Sequence, residues 1–144
     1  MIDILLPCNN SPQYQPAMAQ QYLETAQPFD IIVADDETAI ATVIADLLHE
    51  EGFSVGVFHD GASALLAIEA HQPGLVLLDN TMPVMTGEEL LEKLRQRGFT
   101  ELPIVLMSAA TRLDEFLDKG ATEVIAKPFE LDKILSCVDT YMQR

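Results

Sequence analysis

Residues 29–48 read Phe-Asp-Ile-Ile-Val-Ala-Asp-Asp-Glu-Thr-Ala-Ile-Ala-Thr-Val-Ile-Ala-Asp-Leu-Leu, and two different periods meet inside them. Residues 30–34 form a short, almost unbroken apolar run, whereas Ile40, Val43, Ile44, Leu47 and Leu48 recur at helical spacing. The first pattern predicts a strand covered on both faces; the second predicts an amphipathic helix.

The same alternation continues along the chain. Gly52 ends the first helix, residues 53–58 read as a second strand, and Gly61–His71 as a second helix carrying Leu65 and Ile68. Residues 75–78, Leu-Val-Leu-Leu, make a third strand. Thr86 and Glu89 have capping-box spacing, Glu88 and Glu92 lie early, and Arg95 and Arg97 precede Gly98, so both ends of the third helix suit its dipole. Residues 104–107 are read as strand four, 112–118 as a short helix, Glu123–Ala126 as strand five, and Leu131–Met142 as a last helix with Leu131, Ile134, Leu135 and Val138 inward. Apolar strands joined by right-handed crossovers predict an α/β fold: a doubly wound five-stranded parallel sheet in a three-layer α/β/α sandwich.

A chain of 144 residues, 49% hydrophobic, suits one domain. Its 8 basic and 23 acidic residues give a net charge of −15, and the basic ones are scattered, which argues against direct nucleic-acid binding. Cys8 and Cys137 do not make a disulfide framework and fit a reducing cytoplasm. Residues 1–7 lack a basic region, and their short apolar run contains Asp3, so neither a signal peptide nor a membrane span is expected. Residues 1–28 contain Pro7, Pro12, Pro16 and Pro28 but no Lys or Arg. They are read as a flexible leader, or alternatively as a docking segment built on residues 17–25, with the domain occupying residues 29–144.

Open α/β sheets bind ligands beyond the carboxyl ends of their strands. The strand ends here carry Asp35 and Asp36, Asp79, Ser108 and Lys127. Singly, each has a plainer explanation: a strand-end Asp is commonly a turn residue, Ser108 a helix cap, Lys127 a surface cation. Sharing one rim gives them a chemistry. Three close carboxylates repel, and a cation or a proton must relieve them; hard oxygen ligands favour Mg²⁺, with Mn²⁺ as the alternative. Lys127 on the same rim calls for an anion as well. A phosphoryl group satisfies both, with Asp79 as its nucleophile and Ser108 as a hydrogen-bond donor. His49, His59 and His71 lie on different elements without ligand spacing and are read as solvent-exposed. Gly87 has no second glycine to make a phosphate loop, and Met82-Pro83 is read as shaping the turn after the nucleophile.

The segments Ile31-Ile-Val-Ala-Asp35-Asp36-Glu37, Leu77-Leu78-Asp79-Asn-Thr-Met82-Pro83-Val-Met-Thr-Gly87, Val105-Leu-Met-Ser108-Ala109, Gly120-Ala121 and Lys127-Pro128-Phe129 together resemble the receiver domains of bacterial two-component response regulators, including the single-domain chemotaxis regulators. The resemblance covers residues 29–142. It implies the flavodoxin-like strand order 2-1-3-4-5, for which a receiver serves as a stock example. It further implies that Asp36 and Asp79 bind Mg²⁺ directly, Asp35 through water and Thr81 through its carbonyl. Asp79 would take phosphate from the phosphohistidine of a histidine kinase or phosphotransfer protein. Ser108 would follow the phosphoryl group, and the Lys127–Pro128 bond would be cis. The chain is then expected to catalyse only its own phosphorylation and dephosphorylation and to signal by contact with a downstream protein, with homodimerisation left open. Two departures stand out: Val124 replaces the aromatic residue that many members carry three positions before the lysine, and twelve positions separate Ser108 from Gly120, so helix four is expected to be stubby.

Three other readings compete. An aspartyl-phosphate phosphatase would carry a second Asp where Thr81 stands. A flavin-binding module would need a Ser/Thr/Gly-rich loop where Asp35-Asp36-Glu37 stands. A pseudo-receiver would be expected to have lost Asp36, Asp79 or Lys127, and all three are present.

Overall fold

The computed structural model describes residues 28–109 and 113–142. The leader with its docking segment, Cys8 and Arg112 therefore lie outside the described residues. Five parallel strands, β1 (Ile31–Ala34), β2 (Val55–Phe58), β3 (Leu75–Asp79), β4 (Ile104–Ser108) and β5 (Glu123–Ala126), form one sheet in the order β2-β1-β3-β4-β5. The intervening helices are α1 (Thr38–Glu50), α2 (Gly61–His71), α3 (Gly87–Gln96), α4 (Leu113–Asp118) and α5 (Leu131–Met142).

The pleat divides the apolar strands between two cores. Ile31, Val33, Leu75, Leu77, Val105 and Met107 pack with Ala41, Ile44 and Leu48 of α1 and Ile134 and Val138 of α5. Their neighbours Ile32, Ala34, Val76, Leu78, Ile104 and Leu106 pack with Ile68 of α2, Leu90, Leu91 and Leu94 of α3, and Phe116 of α4. The expected three-layer sandwich and the order 2-1-3-4-5 are both present. Among the described residues no helix is long and apolar enough to cross a membrane.

Local bonds account for the boundaries. The Thr86 hydroxyl accepts from the Glu89 amide at 3.1 Å and the Glu89 carboxylate from the Thr86 amide at 2.9 Å, the capping box read from sequence. Strand β2 begins at Val55 rather than residue 53, because the Phe53 amide closes α1 on the Leu48 carbonyl and the Ser54 amide donates to the Asp30 carboxylate. Strands β3 and β4 each run one residue further than read, taking Asp79 and Ser108 into the ladder. Helix α4 has six residues, as short as its spacing required. Leu131, read as inward, is instead 40% exposed at the start of α5.

Candidate functional site

The carboxyl ends of β1, β3, β4 and β5 bring the residues read from sequence onto one rim. Asp35 follows β1 and is fully buried; Asp36 beside it is exposed. Asp79 and Ser108, the last residues of β3 and β4, are buried as well. Lys127 follows β5, and its amide donates to the Ser108 carbonyl at 2.9 Å, which fixes the two strand ends side by side. The Lys127–Pro128 bond is cis. Thr81 stands two residues beyond Asp79, and its amide, near the Asp79 carboxylate, favours the charged form slightly.

One oxygen from each of Asp35, Asp36 and Asp79 lies within 4.8 Å of the others. The Lys127 ammonium donates a hydrogen bond to Asp79 Oδ1. Asp35 Oδ1 accepts from the Glu37 amide at 2.9 Å, whereas Asp35 Oδ2 is, among the described residues, a buried side-chain oxygen with no hydrogen-bond partner. Such an atom costs free energy unless something else satisfies it. Burial, reinforced by the Asp79 charge against the Glu37 hydrogen bond, pushes the Asp35 carboxyl up to about 6. Burial also raises Asp79, partly offset by its hydrogen bond from Lys127. Burial works against the Lys127 charge, yet the hydrogen bond to Asp79 and the negative charges of Asp79, Asp35 and Glu37 together outweigh it, and the ammonium is held above its ordinary range. An orphaned carboxylate oxygen beside two further carboxylates fits a hard divalent cation: the acids want more positive charge than one lysine supplies.

Sequence reasoning missed three features. His59, placed in solvent, is exposed but its Nδ1 lies 2.9 Å from the Asp35 carbonyl, so it braces the rim from the end of β2. His71, also placed in solvent, is partly covered by the Phe29 ring at 4.4 Å. Gly87 serves close approach: a Cβ there would lie 2.4 Å from the Asp79 carbonyl oxygen. That contact, with the Gly87 amide donating to the Asn80 carbonyl at 3.0 Å and the Glu88 amide to Asn80 Oδ1 at 3.0 Å, seats α3 directly on the strand end that carries Asp79.

Residues 31–139 match the family model described as the response regulator receiver domain. The regulatory protein VanRc of Enterococcus gallinarum is 36% identical over 79% of this chain and 50% of its own length. The response regulator MprA of Mycobacterium avium is 34% identical over 79% of the chain and 51% of its own. This chain thus spans about half the length of the curated relatives it matches. Among solved structures, the receiver domain of the Francisella response regulator 1452 superimposes with a TM-score of 0.76 at 30% identity, covering 81% of this chain and 98% of that one. The chemotaxis protein CheY4 of Vibrio cholerae does so at 0.72 and 25% identity, covering 81% and 99%. The family match over residues 31–139 and the shared fold show that the chain belongs to the response regulator receiver domain family.

Proposed function

We propose that this receiver accepts a phosphoryl group on Asp79 from the phosphohistidine of a histidine kinase or phosphotransfer protein, with Mg²⁺ or Mn²⁺, and signals in the cytoplasm by contact with another protein. The observation that carries this reading is the Lys127–Asp79 hydrogen bond beside the unpartnered Asp35 oxygen. Asp35, Asp36, Asp79 and the Thr81 carbonyl would hold the ion. When bound, the ion supplies the positive charge that the crowded carboxylates and the phosphoryl oxygens both need.

The remaining work belongs to the chain's own groups. An Asp79 carboxylate oxygen attacks phosphorus; the O–P bond forms as the P–N bond to the donor imidazole breaks, and the imidazole leaves with the electron pair and takes up a proton. Lys127 keeps the attacking carboxylate oriented and then pairs with a phosphoryl oxygen. Ser108 donates its hydroxyl to another. Because these contacts differ before and after transfer, the phosphoryl group biases one arrangement of the rim over the other. The chain acts on no substrate besides itself.

Acetyl phosphate tests the reading. With Mg²⁺, intact mass is expected to show one hydroxylamine-labile phosphoryl adduct on the wild type, none with chelator, and none on Asp79→Asn. An adduct retained by Asp79→Asn would rule out this assignment.

A further inference from the structure

Among the described residues, six large apolar side chains are exposed, and three of them, Ile40, Val43 and Leu131, share one place. They line an open groove of about 520 Å³ between the first turns of α1 and the connection from β5 to α5, floored by Ile44, Pro128 and Phe129. Scattered apolar side chains on a surface are ordinary, but a clustered apolar groove marks a binding surface. Among the described residues that line it, the charged side chain is Lys127, the same lysine that binds Asp79.

The chain supplies a segment of matching chemistry. In residues 17–26, Ala-Met-Ala-Gln-Gln-Tyr-Leu-Glu-Thr-Ala, the positions Met18, Ala19, Tyr22, Leu23 and Ala26 share one face at helical spacing, and Gln20, Gln21, Glu24 and Thr25 the other. The docking face, Met18, Ala19, Tyr22, Leu23 and Ala26, carries no charge of its own, as an apolar groove requires, and Glu24 falls on the opposite face. Helix α1 runs back from the carboxyl end of β1, and the part of it beyond Val43 is about 10 Å long. Residues 24–27 span up to about 13 Å when extended, enough to carry Leu23 from the open end of β1 to that height. A tether this short keeps the segment at an effective concentration on the order of millimolar, so a weak contact is populated.

We propose that residues 18–23 of this chain dock their Met18–Tyr22–Leu23 face into the groove formed by Ile40, Val43, Phe129 and Leu131. The occupied groove adjoins Lys127, so a macromolecular phosphodonor would have to displace the segment, whereas a small donor would not. The docking itself does not depend on phosphorylation of Asp79.

The test is paramagnetic relaxation in the full chain, with a nitroxide on Gln21→Cys in a Cys8→Ser background. Cys137 is buried with its thiol pushed up to about 12, so it escapes labelling. Selective loss of amide signal is expected at Ile40, Val43 and Leu131 but not at Leu66 or Val84, and Leu23→Asp is expected to restore it. Loss spread evenly over the surface, or unchanged by Leu23→Asp, would overturn the proposal. So would loss at the groove seen only when labelled and isotopically enriched chains are mixed, which would assign it to a second copy. Because none of these readouts involves phosphate, failure here leaves the phosphoacceptor reading standing, and the reverse holds too.

Discussion

Val84 sits in the left-handed region at φ 70°, with the Met85 amide donating to the Pro83 carbonyl at 2.7 Å across it, and its side chain is 87% exposed. A β-branched residue there carries strain of about 1–2 kcal/mol and gains little packing in return. Val84→Gly is expected to raise stability by about 1 kcal/mol in urea unfolding; a loss would show that the side chain has a partner. Asp35 holds strain of another kind. Its folded-state pKa of about 6 lies above the ordinary 3.8, so its contribution to metal-free stability is fully present below about pH 4 and is lost as pH rises through 6. In chelator at pH 7, Asp35→Asn is expected to be more stable than wild type by on the order of 1–3 kcal/mol, with the advantage shrinking towards pH 4 and in excess Mg²⁺. Equal stability at both pH values would mean that the carboxylate is not crowded.

At the scale of elements, Arg95 ties α3 to its neighbours. Its guanidinium donates to the Phe99 carbonyl at 2.5 Å, the Leu102 carbonyl at 2.8 Å and the Gly120 carbonyl at 2.7 and 2.9 Å, and reaches Thr122 Oγ1 at 3.3 Å. It thereby holds the turn between the six-residue α4 and β5 against the end of α3. Arg95→Ala is expected to cost about 2–4 kcal/mol, since it leaves several carbonyls without a donor, and Arg95→Lys to recover only part, because one ammonium cannot reach all of them. Denaturant midpoints decide; full recovery by lysine would reduce the clamp to a charge effect. The sequence showed Arg95 only as a cation near a helix end, because backbone carbonyls, one of them at Gly120 25 positions away, leave no signature in residue types. The capping box and the apolar strand runs were legible, since each is a pattern within one element. Leu131 was misread for the complementary reason: helical spacing fixes its face of α5 but not that the groove leaves that face open at the first turn.

The molecule as a whole was legible because the candidate site residues sit at strand ends, and a parallel sheet brings those strand ends onto one rim. Asp35, Asp36, Asp79, Ser108 and Lys127 could be assembled from topology alone. The brace from His59 and the seating of Gly87 on Asp79 could not, since both depend on backbone carbonyls that any residue could present. On the proposed function, holding the ion and transmitting the phosphoryl signal fall to different residues. Lys127→Ala removes the amine but none of the proposed ligands, so it is expected to retain Mg²⁺ binding while losing most of the phosphorylation-dependent change in partner affinity; abolished metal binding would contradict that division. The most direct test of the central claim is to locate the phosphoryl group itself. After acetyl phosphate and Mg²⁺ treatment, borohydride reduction and peptide mapping are expected to convert residue 79, and no other acid, to homoserine. Reduction at Asp35 or Asp36, or none at all in protein shown to bind Mg²⁺, would contradict the account.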